Sequence, residues 1–118
     1  MNPNLTIKRG DVWEVDPSEG DEIRKIRPAV VMSANGVGRL QLRIVVPITG
    51  WQDRFSQFFW LVRLPASSGT GLRKESAADT IQIKSVSVLR FRSKLGELDP
   101  RLLDRIARAI AICIDHRG

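Results

Sequence analysis

Between Asp11 and Arg90 the chain advances in short apolar runs, each cut off by glycine, proline or a charged turn. This rhythm constrains the fold more than any other feature, because such runs form strands that must pair to bury anything. DVWEVD (residues 11–16) predicts a short strand with Trp13 and Val15 on one face. PAVVMS (28–33) and LQLRIVVPIT (40–49) predict the next two, joined by the glycine turn ANGVGR. Pro47, near the end of its run, requires an edge or a bulge, since it lacks an N–H. FFWLVRL (58–64) predicts a fourth strand. TIQIKSVSVLR (80–90) predicts a fifth, with Ile81, Ile83 and Val86 or Val88 inward and a bulge near Ser85. Residues 16–27 form a long charged loop, GWQDRFSQ a second loop, and PASSGTGLRKES a flexible connector. Five or so short strands with turns between them imply a small, strongly bent sheet or barrel.

The end of the chain has a different period. In LDPRLLDRIARAIAICIDHRG (98–118), Asp99 is the expected N-cap and Pro100 the first helical residue. At 100° per residue, Leu102, Leu103, Ile106, Ile110, Cys113 and Ile114 form one apolar arc. Arg101, Asp104, Arg105, Arg108 and Asp115 lie opposite, and Ile112 falls among them as a partly covered surface residue or a contact to another chain. The fold class is therefore mainly β with a C-terminal helix.

A chain of 118 residues, 42% apolar, builds one core, so residues 1–118 form a single domain. No apolar run approaches the ~20 residues of a membrane span. The opening MNPNLTIKRG lacks the apolar run of a signal peptide, which points to the cytoplasm. The single cysteine, Cys113, rules out an internal disulfide. Nineteen Lys and Arg against thirteen Asp and Glu give +6, a balance suited to a polyanion or an acidic protein.

The chemistry narrows by exclusion. The one histidine, His116, sits in the tail, and no tyrosine is present. No Cys/His cluster has metal spacing, so neither metal nor cofactor is expected. NGVGR lies between strands and is a turn, since no helix follows it. What remains is Arg, Lys, Thr, Ser, Gln and scattered carboxylates, which hold phosphate and stabilise a charged transition state. RNA supplies its own nucleophile, the 2′-OH beside the scissile phosphate. Arg27 precedes Pro28, which fixes its backbone as extended at a strand start. Thr49 follows Pro47 at a strand end, and neighbouring strands bring the two together. On residue mechanics alone, Arg27 either serves such a site or pairs with Asp21 or Glu22, and Thr49 either joins it or caps a turn. Trp51 and Phe55 flank Arg54, as a stacking platform for unpaired bases or as closure of the barrel mouth, with Phe55 the core residue of the two.

In order and spacing these pieces resemble the MazF/PemK family of toxin endoribonucleases. KRGDVWEVD is similar to the family's opening strand, and GDEIRKIRPAVV to its G-[ST]-E-Q-x-x-x-R-P signature. VVPIT is similar to the following strand with its threonine. GLRKESAADTIQIKSV resembles the segment ending in an acidic residue, Gln, a hydrophobic residue, Arg or Lys, then Thr or Ser. LGELDPRLLDRIARAIAICI resembles the closing Leu-Gly turn and helix, so the likeness runs from Lys8 to Asp115.

The resemblance implies a small SH3-like curved β-barrel, a homodimer, and metal-independent cleavage of single-stranded RNA at short sequences. It also implies an acidic antitoxin whose extended, disordered C-terminal segment occupies the RNA groove. Arg27 and Thr49 take the catalytic positions, with Glu22 or the Arg27 region handling the 2′-OH proton. Asp21, Glu22, Ile23, Trp51, Ser76, Gln82 and Lys84 fall on RNA-binding positions. The chain departs from the pattern at Asp21, Ile23, Arg24, Lys25 and Ala34. The acidic residue expected before Gln82 is Ile81, with Asp79 two positions earlier on the same strand face. Alternatives on the same fold are a non-cleaving RNA-binding protein and a gyrase poison.

Overall fold

The computed structural model describes residues 6–16, 26–37 and 41–116. Among the described residues seven strands precede one α-helix: β1 (Asp11–Val15), β2 (Arg27–Val31), β3 (Leu42–Gly50), β4 (Leu61–Leu64), β5 (Ser76–Asp79), β6 (Lys84–Ser87), β7 (Phe91–Glu97) and α1 (Pro100–Cys113). All pairings are antiparallel, in the order β4-β5-β3-β2-β1-β7, with β6 also on β3. β3 is the longest strand and changes partner along its length, pairing β6 through Val45 and β5 from Ile48. Pro47 stands at that change, where no continuous ladder requires its missing donor.

The apolar runs of β2 and β3 are explained by burial on both sides. Val30, Val46 and Ile48 enter a core closed by Ile106 and Ala109 of α1. Ala29, Val31 and Val45 enter a second core with Ile7, Val86, Val88 and Phe91, against which Trp13 packs. A sheet with cores on both faces is curved, and register shifts in the β1–β7 pair add to the bend. The expected fold class, a mainly β, curved SH3-like arrangement with a C-terminal helix, is the one observed.

The helix forms as its sequence requires. The Asp99 carboxylate accepts from the Leu102 N–H at 3.0 Å, and Pro100 opens the first turn. Ile106 is fully buried, with Leu102, Leu103 and Ile110 packed partly against the same core. Ile114 instead lies past the helix end and is exposed, as is Ile112. Among the described residues no helix is long and apolar enough to cross a membrane.

Several expectations need correction. The strand in FFWLVRL covers only Leu61–Leu64; Phe58 and Phe59 are exposed, and the N–H of Leu61 bonds back to the Phe58 carbonyl as a turn. PASSGTGLRKES is no loose connector. Buried Thr70 donates to the Pro65 and Ser67 carbonyls and accepts from the Leu72 N–H, while Gly69 receives the Glu97 N–H. Gly71 turns there at φ +73° against the Leu95 carbonyl. β5 begins inside this segment, and the polar run FRSKLGE forms β7, so Leu95 and Gly96 lie in a strand rather than a turn.

TIQIKSVSVLR is not one strand either. A 3₁₀ turn at Thr80–Gln82 separates β5 from β6 in place of a bulge at Ser85, and it throws Ile81 outward to 61% exposure. Ile83, Val86 and Val88 do face the cores. The loop at 17–25 lies outside the described residues.

One buried carboxylate ties the opening strand down. Asp11 accepts from the Lys8 N–H at 2.9 Å and the Trp13 indole at 3.1 Å, and pairs with Lys94 of β7 at 3.3 Å. Partial burial lowers the Lys94 ammonium, but the charges and hydrogen bonds of Asp11 and Glu97 outweigh it and hold the group above its ordinary 10.5.

Candidate functional site

Arg27 is the first residue of β2, held extended by the proline after it, and its side chain is exposed. Thr49 is the penultimate residue of β3 and pairs with Ala77 of β5. Gln82 closes the 3₁₀ turn after β5. That turn is anchored from two sides. The Thr80 N–H and hydroxyl both donate to the Trp60 carbonyl, at 3.0 and 2.9 Å, and the hydroxyl lies 3.7 Å from Cys113 Sγ on α1. Strands β2, β3 and β5 and this turn thus converge on a cavity of about 240 Å³ lined by Arg27, Pro47, Ile48, Thr49, Asp79 and Gln82.

Asp79, the acidic residue displaced from the position before Gln82, is part of this lining. The turn explains its place. In 3₁₀ geometry residues three apart stand one above the other, and the Gln82 amide donates to Asp79 Oδ2 at 2.8 Å. Asp79 Oδ1 is buried without a hydrogen-bond partner among the described residues. Asp79 and Gln82 therefore share a cavity across a turn, and Ile81, exposed and outside that cavity, does not share a strand face with Asp79 as expected. The signal that finds Asp79 is an acidic residue three before a glutamine at a strand end.

Ser76 lines a neighbouring cavity of about 490 Å³ with Glu14, Pro28, Arg73 and Lys74. Arg27 of the first cavity precedes Pro28 of the second, and across the β3–β5 pair Thr49 stands opposite Ala77 while Ser76 stands opposite Gly50. Ser76 donates to the Lys74 carbonyl at 2.9 Å, and the Lys74 ammonium passes over Gly50, which has no side chain to exclude it. Between them the two cavities hold Arg27, Arg73 and Lys74, cationic groups suited to phosphate, with Glu14 also lining the second.

Trp51 faces elsewhere. It lines a third groove, about 500 Å³, with Phe55, Phe58, Phe59 and Ile112. The Arg63 guanidinium covers its ring at 4.8 Å, the Phe55 ring meets its edge, and Arg63 is paired with Glu75 at 2.9 Å. Phe55 belongs to this groove and not to either core. Lys84 opens β6 on the surface opposite Val45 and lines none of the three cavities. Asn35 accepts from the Arg9 N–H at 2.8 Å, so its side chain is committed within the fold. Asp21, Glu22 and Ile23 lie outside the described residues.

Residues 8–114 match the family described as PemK-like, MazF-like toxins of type II toxin–antitoxin systems. The chain is 27% identical over 117 residues to the endoribonuclease MazF9 of Mycobacterium tuberculosis, spanning 92% of this chain and 97% of that one. It is 25% identical over 112 residues to the endoribonuclease EndoA of Bacillus subtilis, spanning 93% and 96%. Among solved structures, a MazE–MazF complex of Deinococcus radiodurans superposes with a TM-score of 0.76 at 18% identity, covering 93% of this chain and 97% of that one. A mycobacterial endoribonuclease in complex with its cognate antitoxin gives 0.74 at 20%, covering 94% and 97%. These two likenesses show the fold.

Proposed function

The chain belongs to the PemK-like, MazF-like toxins of type II toxin–antitoxin systems, and from that premise we propose that it is a cytoplasmic endoribonuclease cutting single-stranded RNA at a short sequence. The observation that carries this reading is the cavity where Arg27 and Thr49 meet Gln82 and Asp79. Its polar groups are one guanidinium, one hydroxyl, one amide and one carboxylate, which suits a reaction whose nucleophile comes with the substrate.

The chemistry follows from those groups. The Arg27 fork holds two phosphate oxygens, and its charge opposes the negative charge that grows as the 2′-oxygen attacks. The Thr49 hydroxyl donates to a phosphate oxygen, and the rigid strand ends keep both donors in place before substrate arrives. Attack by the 2′-oxygen expels the 5′-oxygen and leaves a 2′,3′-cyclic phosphate and a 5′-OH, without a metal. Arg73, Lys74 and Ser76 of the second cavity take flanking phosphates. An acidic antitoxin segment that occupies the same cavities neutralises the enzyme, and two copies of the chain form a homodimer.

The test is cleavage of a long unstructured RNA with EDTA present. Fragments carrying cyclic phosphate ends are expected, and Arg27→Ala should lower the rate on the order of 10²–10³, the range for losing one such donor. Activity lost in EDTA and restored by magnesium would overturn the metal-free chemistry. RNA bound but left whole would make the chain a binding protein.

A further inference from the structure

We propose that Asp79 is the catalytic proton acceptor for the 2′-OH, an assignment that rests on the endoribonuclease reading above. The carboxylate lines the cavity with Arg27 and Thr49, and its two oxygens are in unlike states. Oδ2 is held by the Gln82 amide at 2.8 Å, while Oδ1 is buried with no hydrogen-bond partner among the described residues. A carboxylate oxygen withdrawn from water without a donor is costly, so the group gains by turning that oxygen toward a donor in the cavity it lines. A ligand hydroxyl relieves that cost. The 2′-OH of a nucleotide whose phosphate sits on Arg27 and Thr49 is such a donor. Ile81, directly before Gln82, is exposed and absent from the cavity lining, so it leaves the task to Asp79.

Around Asp79 the described surroundings add few charges. Arg27 is the other charged residue lining the cavity, Leu61 of β4 pairs opposite Asp79, and α1 reaches the turn through Cys113 at Thr80. The step balances as follows. Asp79 Oδ1 takes the 2′-hydroxyl proton as the 2′-oxygen forms its bond to phosphorus. The bond from phosphorus to the 5′-oxygen breaks, its electron pair staying on that oxygen, which takes a proton from water. The hydroxide so formed removes the proton from Asp79 and regenerates the carboxylate.

The experiment uses the full chain and two RNAs. Cut sites are mapped on a long unstructured RNA. A short RNA spanning one site is then made intact, with a single 2′-deoxy at the cut, or with sulfur replacing the bridging 5′-oxygen. Asp79→Asn keeps an acceptor for Gln82 but cannot take the proton. It should slow single-turnover cleavage about 10²–10⁴-fold, the range for a positioned acid or base, and bind the 2′-deoxy RNA within about threefold of wild type. Its defect should persist on the sulfur RNA, whose leaving group requires no proton. A defect that vanishes there would make Asp79 a proton donor and overturn the assignment. Matching losses in binding and rate would overturn it too, marking a contact that holds the RNA. Cleavage within about threefold of wild type overturns the Asp79 role alone. Wild-type protein that cuts no RNA overturns the endoribonuclease reading and this proposal with it.

Discussion

Arg27 and Thr49 offer the phosphate a charged fork and a neutral hydroxyl, and the two should fail differently. Arg27→Lys is expected to stay within about tenfold of Arg27→Ala in kcat/KM, because a point charge does not reproduce two parallel hydrogen bonds. Thr49→Val, nearly isosteric on a strand, should cost about 10² in rate with melting temperature unchanged. Thr49→Ser keeps the donor and should stay within about tenfold of wild type; equal loss in both variants would mean that Thr49 acts by shape. At the structural pair of Lys94 and Asp11 the sign follows from the raised Lys94 value. A lysine held above its ordinary 10.5 stabilises the fold fully below that pH, and the contribution disappears as pH rises through the folded value. The Lys94 side chain is 42% exposed, so the effect is small, below about 1 kcal/mol. Urea unfolding of wild type and Lys94→Met should differ at pH 7 and converge as the pH rises past 10.5 through the raised folded value. A gap that widens with pH would refute this account.

Among the elements, the segment between β4 and β5 makes the sharpest demand on its residues. At Gly71 the backbone is left-handed and an added Cβ would collide with the Leu95 carbonyl of β7. Gly71→Ala should therefore cost about 3 kcal/mol or more in urea unfolding. Asp99→Ala removes one helix cap and should cost about 1 kcal/mol, with catalysis untouched. These contrasts also mark what was legible in the sequence. The helix was readable because cap, proline and 3.6-residue spacing agree, down to the exposed Ile112. β2 and β3 were readable because burial on both faces writes unbroken β-branched runs. β5 and β7 were not. SAAD has small residues that fit a crowded centre and no β-branched side chain, while FRSKLGE is an edge strand that buries little besides Phe91. Periodicity also carried the reading straight through Thr80–Gln82, where a tight turn leaves Ile81 in solvent. In the candidate site, the extended backbone at Arg27 was legible because Pro28 fixes it locally. Asp79 and Trp51 depended on that turn and on Arg63 across the sheet, which no local pattern encodes.

For the molecule as a whole, exposed surface and net charge decide what it meets. Ile112 and Ile114 are 60% and 69% exposed at the end of α1, and Ile112 borders the groove of Phe58 and Phe59. A C2 homodimer is expected, with dimer mass in light scattering at micromolar concentration. Ile112→Asp should shift that mass toward the monomer, whereas Leu89→Asp, 76% exposed on the 88–90 turn, should leave it unchanged. A monomeric wild type would sink the idea. The second encounter is electrostatic. The chain carries +6, and the cavities that hold Arg27, Arg73 and Lys74 present part of it where RNA phosphates would run. An antitoxin segment competing for that track must be acidic to replace the phosphates, and is expected to be disordered when free, since charge repels itself and little apolar surface remains to fold it. Attraction between the two acts over a Debye length, about 10 Å at 0.1 M salt and about 30 Å at 0.01 M. Salt should therefore slow encounter more than it hastens departure. Stopped-flow mixing of the toxin with the acidic segment, from low to physiological salt, should show association falling at least tenfold while dissociation changes little. Arg73→Gln with Lys74→Gln should flatten that dependence and weaken RNA binding in parallel. Association indifferent to salt would show that shape and apolar contact, not charge, bring the two together.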